Sequence, residues 1–379
     1  MEDTTHGGKK FHLRFPFRLN VQPRLKEVAW WFSTVLSIVS IVVALIIGAL
    51  IISGAGANPL RVYQHIAKAS FGSLGVFSDT LVKATPLIMV GLACSLAFRM
   101  RLWNIGAEGQ FFVGAWGASL IVLLPVLPEN APTWAFILLT MIAGMVMGAL
   151  WGFIPGILKA RLGVNEIIST LMLNYIAIEW NNYFIYAVWS EGGFQMSRRF
   201  QRNAWLPRLT DFGDQFPILR GLTTHAGLII ALAAAVIIWW ILAKSKWGYE
   251  IRLIGDNPRA AEYAGISIKR NIVLVLMLSG ALAGLAGMSE IMGVVHRLQG
   301  AISPGYGFTG IIIAWLAKLN PIAVIVVSVF FGGIILAGRE LQPAGIPTLI
   351  QGVIVVCLIA SEFFLRNKVT IIKRVEADR

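Results

Sequence analysis

The sequence predicts an all-α polytopic membrane protein with about ten transmembrane helices. Of its 379 residues, 57% are hydrophobic and only 13% are charged, about half the charged fraction of a soluble domain. The mean hydropathy is +0.73, and several apolar runs exceed the roughly 18 to 20 residues that span a bilayer. The net charge of +13 does not call for a nucleic-acid partner, because the basic residues lie in loops between apolar segments, as in cytoplasmic loops.

The order of the apolar segments predicts each helix in turn. Segment 57–79 is only modestly apolar and is predicted to form a surface or half-buried helix. Segment 307–317 is too short to cross a bilayer alone at about 1.5 Å per residue, so we expect a half-helix or broken helix that its neighbours shield. The predicted spans lie near 30–52, 80–98, 105–125, 133–157, 166–188, 223–243, 271–295, 307–317, 321–338 and 345–365.

This number of crossings places both termini on one side of the membrane. Most of the 32 Lys and Arg residues lie in segments on that side, so both termini are predicted to be cytoplasmic. The predicted domains are a basic tail at 1–29, a transmembrane domain at 30–365 and a second tail at 366–379. The longest extracytoplasmic loop, 189–221, carries several arginines and aromatic residues. It either docks a partner protein or forms a lid on the bundle.

Glycines spaced three or four residues apart predict two closely packed helices. Such ridges let transmembrane helices approach each other backbone to backbone. They are Gly144, Gly148 and Gly152 in one span, and Gly280, Gly284 and Gly287 in another.

The sequence lacks the motifs of an enzyme. No GxxxxGK(S/T) phosphate loop occurs, so the chain is not expected to hydrolyse ATP. No zinc-helix motif, nucleophile elbow or Cys/His cluster is found, and Cys94 and Cys357 lie far apart in apolar segments, as small core residues do. We therefore expect a chain that is not an enzyme and that holds no cofactor or metal itself.

The acidic residues of the spans are placed toward the span ends. They are Glu108, Glu166, Glu179 and Glu290. Because an intramembrane charge is costly and is kept only for function, the absence of a midplane acid argues against a proton-coupled carrier and favours an uncharged solute. The deep polar groups are expected to be amides and hydroxyls.

One polar stripe is a candidate solute pathway. Thr170 and Asn174 share a helix face, with Glu166 one turn earlier. A polar face of a membrane helix needs protein or water beside it, so these residues either line a path for a hydroxyl-rich solute or hydrogen-bond between helices. The aromatic candidates, which contact a base or sugar face or simply pack, are Trp116, Tyr175 and Trp315.

Two further polar clusters lie beside predicted spans. Asn104, Glu108 and Gln110 stand at the mouth of one span, where they either form a tight helix start, with Glu108 near a positive helix end, or gate the inner mouth. The Gly- and Pro-rich stretch 299–310 precedes the short half-helix. Interrupted helices of this kind mark binding sites in transporters, although a plain outer loop is the alternative.

A small capped helix is predicted in the basic loop at 255–266. Asp256 or Asn257 can cap it, Pro258 suits the first helical position, and Gly265 suits a left-handed exit. The helix is either an ordinary loop helix or a firm knob that a separate motor protein pushes. The residues assigned to this candidate coupling helix are Asp256, Asn257, Pro258, Arg259, Ala261, Glu262 and Gly265.

Four stretches, in this order, resemble the permease subunits of bacterial ABC importers of the branched-chain amino acid and simple-sugar class. They are 102–110, 171–177, 255–266 and 305–311. Within that class the sequence is most similar to the nucleoside importer permeases. The resemblance covers about 30–365 and is more specific for the class than for the solute.

The resemblance implies a bacterial inner-membrane subunit with separate partners. These would be ATPase subunits that hold ATP and Mg, a second permease, favoured as a paralogue over an identical copy, and an extracytoplasmic substrate-binding protein. The solute would be a nucleoside, or ribose or galactose, and the helix at 256–265 would be the coupling helix. Branched-chain amino acids are an alternative solute. An ATP-independent secondary carrier and a structural scaffold are alternative functions.

Overall fold

A computed structural model describes residues 17–23, 30–54, 56–124, 126–128, 130–338 and 346–373. It confirms the all-α architecture, and each predicted span contains a helix. The helices are α1 (Trp30–Gly54), α2 (Pro59–Phe71), α3 (Leu74–Arg99), α4 (Ala107–Leu123), α5 (Thr133–Leu162), α6 (Glu166–Tyr183), α7 (Gly227–Lys244), α8 (Lys246–Asp256), α9 (Pro258–Tyr263), α10 (Ile268–Glu290), α11 (Tyr306–Leu316), α12 (Pro321–Ala337) and α13 (Ile346–Arg366).

Length and composition divide these helices into two groups. Among the described residues, four helices are long and apolar enough to cross a membrane alone, namely α3, α5, α7 and α10 with its continuation to Val295, and a fifth span results if the bent pair of α1 and α2 counts as one. Shorter apolar helices include α4, α11 and α12. The predicted half-helix at 307–317 is confirmed as α11, with 11 residues. A short helix fits a membrane protein where its neighbours cover its ends, and the total of about ten crossings stays a prediction.

The chain forms two compact units, one from the described parts of 1–56 and 348–379 and the other from 57–347. In the first unit, strand β1 (Phe17–Pro23) pairs antiparallel with strand β2 (Asn367–Lys373). The prediction from sequence had assigned no structure to either tail. The alternation of Phe17, Leu19 and Val21 with polar residues is the sequence pattern that predicts a strand here.

Helix α3 lies at the centre of the second unit. Almost every residue from Val82 to Phe98 is buried, because α7, α10, α11 and α12 all pack against it. A helix that is covered on all sides carries apolar residues around its whole circumference. Its start is fixed by Ser73, whose Oγ accepts a hydrogen bond from Val76 N at 3.2 Å.

Helices α4, α5 and α10 meet backbone to backbone. A Cβ atom added to Gly148 would overlap the carbonyl oxygen of Gly280, and one added to Gly284 would overlap the carbonyl oxygen of Gly144. Gly114 of α4 approaches Gly284 equally closely from the other side. The predicted glycine ridges are therefore confirmed, and they hold three helices closer than any side chain allows.

Two of the helices end in π-turns. The turn Phe184–Val188 continues α6, and the turn Ile291–Val295 continues α10. His296 ends the second turn in the left-handed conformation, with φ of 57°. Single π-turns of this kind occur often at functional sites.

We expect the substitution Gly148→Ala to destabilise the bundle by about 1–3 kcal/mol, because the new methyl group forces α5 and α10 apart. Thermal unfolding of the purified chain in detergent measures the change. Gly75→Ala is the matched control, because a Cβ there meets only the Ser73 Oγ at 3.9 Å. Equal melting temperatures for Gly148→Ala and the wild type would contradict the role of the glycine contact.

Candidate solute pathway and coupling surface

A buried polar cluster ties the start of α4 to its neighbours. Asn104 donates from Nδ2 to Gln110 Oε1 at 2.9 Å and to Ser279 Oγ at 2.8 Å, and its Oδ1 accepts from Gly106 N at 3.0 Å. Ser279 in turn donates to the carbonyl oxygen of Ala93 in α3 at 2.7 Å. These bonds agree with a tight helix start as the role of Asn104 and Gln110. A gating role stays a prediction.

Glu108 lies between two helix starts. It is in the first turn of α4, and its Oε2 accepts from Gly307 N, in the first turn of α11, at 2.6 Å. A Cβ on Gly307 would overlap the backbone of Glu108, so the two helix ends are in direct contact. The predicted position of Glu108 near a positive helix end is confirmed, and α11 adds a second such end. A role in the pathway stays a prediction.

A buried ion pair lies beside this contact. Lys83 Nζ of α3 is 3.1 Å from Glu290 Oε1 at the end of α10 and donates to the Tyr306 hydroxyl at 3.1 Å. The lysine and glutamate are 4% and 3% exposed. The expectation that the deep polar groups are only amides and hydroxyls is therefore wrong. Lys83 inside the predicted span 80–98 was the sequence feature that indicates a buried charge, since intramembrane charges are rare and functional.

The polar stripe of α6 faces the interior of the unit. Asn174 Oδ1 accepts from Gly109 N at 2.7 Å, and its Nδ2 donates to the carbonyl oxygen of Ile105 at 2.9 Å. Thr170 is buried and donates to the carbonyl oxygen of Glu166 at 2.6 Å, and Glu166 pairs with Lys159 at 2.7 Å. The side chains of the stripe thus form hydrogen bonds or an ion pair within the protein, as the interhelical alternative predicts. Solute contact stays a prediction.

The opposite face of α6 points out of the unit and carries polar groups. Tyr175, Tyr183 and Tyr186 are 62%, 60% and 53% exposed. Glu179 is exposed on the same side and accepts from Asn182 Nδ2 at 3.4 Å. It lies four residues before the last residue of α6 and nine residues, or about 14 Å at about 1.5 Å per residue, before the end of the π-turn at Val188. A carboxylate at that depth is costly in lipid, so this face requires a partner or water.

The aromatic candidates differ in their surroundings. Trp116 is 8% exposed, and its ring centroid lies 5.0 Å from that of Phe184 and 5.4 Å from that of Trp180. Trp315 stacks on Trp103 at 5.5 Å. Both tryptophans pack against other rings, whereas Tyr175 stands on the exposed face of α6.

The predicted capped helix at 255–266 is confirmed as α9. Asn257 Oδ1 accepts from Ala260 N at 3.1 Å, and Pro258 occupies the first turn. Gly265 follows with φ of 75°, the left-handed exit that glycine favours. Asp256 does not cap α9, because it is the last residue of α8, an amphipathic helix that sequence reasoning missed.

Helix α9 presents side chains to solvent on one face and packs against the protein on the other. Ala261 is fully buried, whereas Tyr263 is 94% exposed. Gly255, near the end of α8, lies directly against the carbonyl oxygen of Arg99 at the end of α3. The exposed surface of α9 is therefore connected through α8 to the central helix. Its exposed side chains are Arg259, Glu262 and Tyr263.

The loop at 189–221, predicted to be extracytoplasmic, is folded onto the end of α10. Backbone hydrogen bonds run from Ser197 N to Leu298 O at 2.8 Å, from Phe200 N to His296 O at 2.8 Å, and from Leu206 N to Met292 O at 3.0 Å. The loop therefore packs on the bundle, as the lid alternative predicts. Its surface that faces away from the bundle stays open for docking.

An aromatic and basic cluster stabilises this loop. The rings of Trp205 and His296 stack at 3.7 Å, and Arg208 Nη2 is 2.9 Å from His296 Nε2. Burial, and after it the Arg208 guanidinium, lowers the pKa of His296 to about 4. The imidazole is therefore neutral at physiological pH and accepts the Arg208 hydrogen bond. Solvent-exposed guanidinium groups belong to Arg198, Arg199, Arg202 and Arg220.

Comparisons with known proteins agree with this geometry. Residues 76–360 match the family described as branched-chain amino acid transport system / permease component. The chain belongs to this permease family. It is 35% identical to the guanosine ABC transporter permease NupP of Bacillus subtilis, over 87% of this chain and 93% of NupP. It is 34% identical to the glucose permease TsgB13 of Haloferax volcanii, over 93% of this chain and 94% of TsgB13. It is also 34% identical to the nucleoside permease NupB of Lactococcus lactis, over 87% and 90%.

Membership in this family also bears on where the chain is located. A permease subunit is the membrane component of a transporter, and this chain is accordingly a multi-pass protein of the inner membrane. Its relatives are permease subunits, which are non-catalytic membrane components of transporters.

Breaking the buried ion pair of the permease should be strongly destabilising. The substitution Lys83→Met removes the ammonium group beside a buried carboxylate and is expected to cost about 3–5 kcal/mol. The double variant Lys83→Met with Glu290→Gln is expected to recover much of that loss, because it leaves no lone charge. Thermal unfolding in detergent measures both. A double variant no more stable than Lys83→Met would show that the pairing of charges is not the cause.

Proposed function

We propose that this chain is the membrane-spanning permease subunit of an ATP-driven importer that moves nucleosides into the cytoplasm. Relatives named for guanosine and nucleoside transport, similar over most of the chain, support the solute class. A relative named for glucose transport makes simple sugars such as ribose or galactose the second candidate. Branched-chain amino acids are a weaker candidate, because a zwitterion requires charged partners or helix ends.

The observation that carries the proposal is the exposed face of α6. Its carboxylate would be unfavourable against lipid, so we infer that a second permease covers this face and leaves a polar path between the two. Glu179 can accept hydrogen bonds from ribose hydroxyls, and Tyr175 and Tyr183 can stack on a base or sugar face. The second permease is proposed to be a paralogue, as the resemblance implies.

Both termini are proposed to be cytoplasmic. The antiparallel pairing of β1, which precedes α1, with β2, which directly follows α13, supports a common side for the two tails. The basic character of both tails favours the cytoplasm. In this orientation α9 faces the cytoplasm, where separate ATPase subunits hold ATP and Mg.

The outer face is proposed to receive a substrate-binding protein. Arg198 and Arg199 are exposed, whereas Arg202 and Arg220 pair with Asp211 and Asp214. The loop therefore carries an excess of positive charge on a segment that is held firmly against α10. An acidic surface on the binding protein would complement it. When ATP draws the ATPase subunits together, their motion would pass through α9 and α8 to α3 and open the path outward, and hydrolysis would reset it.

Vesicles that contain the complete assembly should take up labelled nucleosides in an ATP-dependent manner. Uptake of ribose, galactose, glucose and leucine is measured beside that of adenosine and guanosine. ATP-dependent uptake of a sugar or leucine alone would retain the importer and overturn the nucleoside assignment. Uptake without the ATPase subunits would overturn the importer itself.

The coupling role of α9 predicts a selective defect for Tyr263→Ala. A fully exposed aromatic side chain at a protein contact is typically worth about tenfold or more in affinity, so uptake should fall by about that factor. Tyr249→Ala on α8 is the matched control, since Tyr249 is also exposed. Equal uptake by the wild type and the Tyr263→Ala variant, in assemblies of equal composition, would exclude this contact.

A carboxylate in the path predicts that Glu179→Gln raises KM for nucleosides by about tenfold, because a charge-assisted hydrogen bond is weakened. The wild type should prefer a nucleoside over its 2′,3′-dideoxy analogue, and the variant should lose this preference. Glu191→Gln in the exposed outer loop is the control. An unchanged preference in Glu179→Gln would remove the glutamate from the solute path.

A further inference from the structure

A cavity of about 900 Å³ lies beside α9 and away from the exposed face of α6. Its walls come from α8, the exit of α9, the first turns of α10 and the middle of α5. The proposed solute path does not use it, and of the residues assigned to the coupling helix only Gly265 lines it. Its two ends differ in chemistry.

The end near α8 is polar and basic. Lys246 and Arg270 line it and are both exposed, and within the described part of the chain neither forms an ion pair. Glu250 is the carboxylate of the lining and accepts from Asn271 Nδ2 at 3.0 Å. Asn271 also accepts from Trp247 Nε1 at 2.6 Å. The acid is thus held by its amide neighbour, and the two cations face the opening.

The other end is apolar and lies deep along the helices. Ala149 of α5 and Leu274, Met277 and Ala281 of α10 line it. Ala149 lies about 20 Å from the last residue of α5, and Ala281 lies about 20 Å from the first residue of α10, at about 1.5 Å per residue. That distance is more than half of the roughly 30 Å hydrocarbon core, so this wall lies where an acyl chain runs.

We propose that this cavity binds one anionic phospholipid of the cytoplasmic leaflet. The phosphate group would lie between Lys246 and Arg270, and one acyl chain would lie against α5 and α10. Basic pockets at the cytoplasmic ends of membrane helices bind anionic headgroups in this manner. A soluble ATPase cannot reach the apolar wall, whereas a lipid matches both ends of the cavity at once.

The bound lipid would also contact the moving part of the permease. Gly265 and Ile266, which form the exit of α9, belong to the same lining. A headgroup held there supports the exit of α9 from the membrane side, so the lipid is a positioning ligand for the coupling surface. The proposal takes the cytoplasmic side of α9 from the proposed function, but its measurement requires neither solute nor ATPase.

The test is native mass spectrometry of the purified full-length chain titrated with phosphatidylglycerol or phosphatidylcholine. The wild type should bind one phosphatidylglycerol in preference to phosphatidylcholine. The double variant Lys246→Ala, Arg270→Ala should bind it about thirtyfold more weakly, since each basic residue near an anionic headgroup contributes about fivefold. The matched control is Arg161→Ala, Lys244→Ala, which removes two exposed cations from the same side outside the cavity.

Two further arms separate the possible occupants. Ala149→Phe, which fills the apolar end and keeps both cations, should also weaken phosphatidylglycerol binding, with melting temperature recorded to verify folding. Equal binding of both lipids, or equal losses in the cavity and control variants, would overturn the proposal. Binding of glycerol 3-phosphate as tight as that of the lipid would make this a soluble-phosphate site. Loss of the lipid on assembly would assign the cavity to the second permease.

Discussion

The fold depends on the backbone contact among α4, α5 and α10. Without a hydrophobic force between helices in lipid, association relies on close packing, and the glycines at 114, 148, 280 and 284 permit a distance that no side chain allows. This contact fixes the rotation of α10, and therefore the direction in which Ser279 and Glu290 point. The polar network at the centre of the permease is a consequence of that rotation.

Polar groups in this protein are divided between two environments. Inside the second unit, Lys83, Glu290, Glu108 and Asn174 are each held by charges or hydrogen bonds from other helices, which offset part of the cost of burying them. On the exposed face of α6, Glu179 accepts a hydrogen bond from Asn182 at 3.4 Å, and its tyrosine neighbours are exposed. The division leaves one face of the helix fixed in the unit and the other face exposed.

The surface around α9 has a comparable arrangement. Helix α9 is short, yet its cap at Asn257 and the buried Ala261 fix it in place, and Gly255 joins the preceding helix to α3. A force applied to the exposed Tyr263 would thus act on an element continuous with the core. The proposed lipid cavity shares this element, which places lipid composition and coupling at the same position.

The sequence by itself determined the membrane class, the helix positions, the capped helix at 255–266 and the glycine ridges, because each depends on local composition or spacing. It also carried the family resemblance, since the matching stretches are contiguous. Tertiary structure decided that Asn174 faces Gly109 while Tyr175 and Glu179 face outward. Helix periodicity shows which residues share a face, but only packing determines which neighbour covers that face. It likewise decided the pairing of Lys83 with Glu290 and of the two tails, since these partners are more than 200 residues apart and nothing local identifies them.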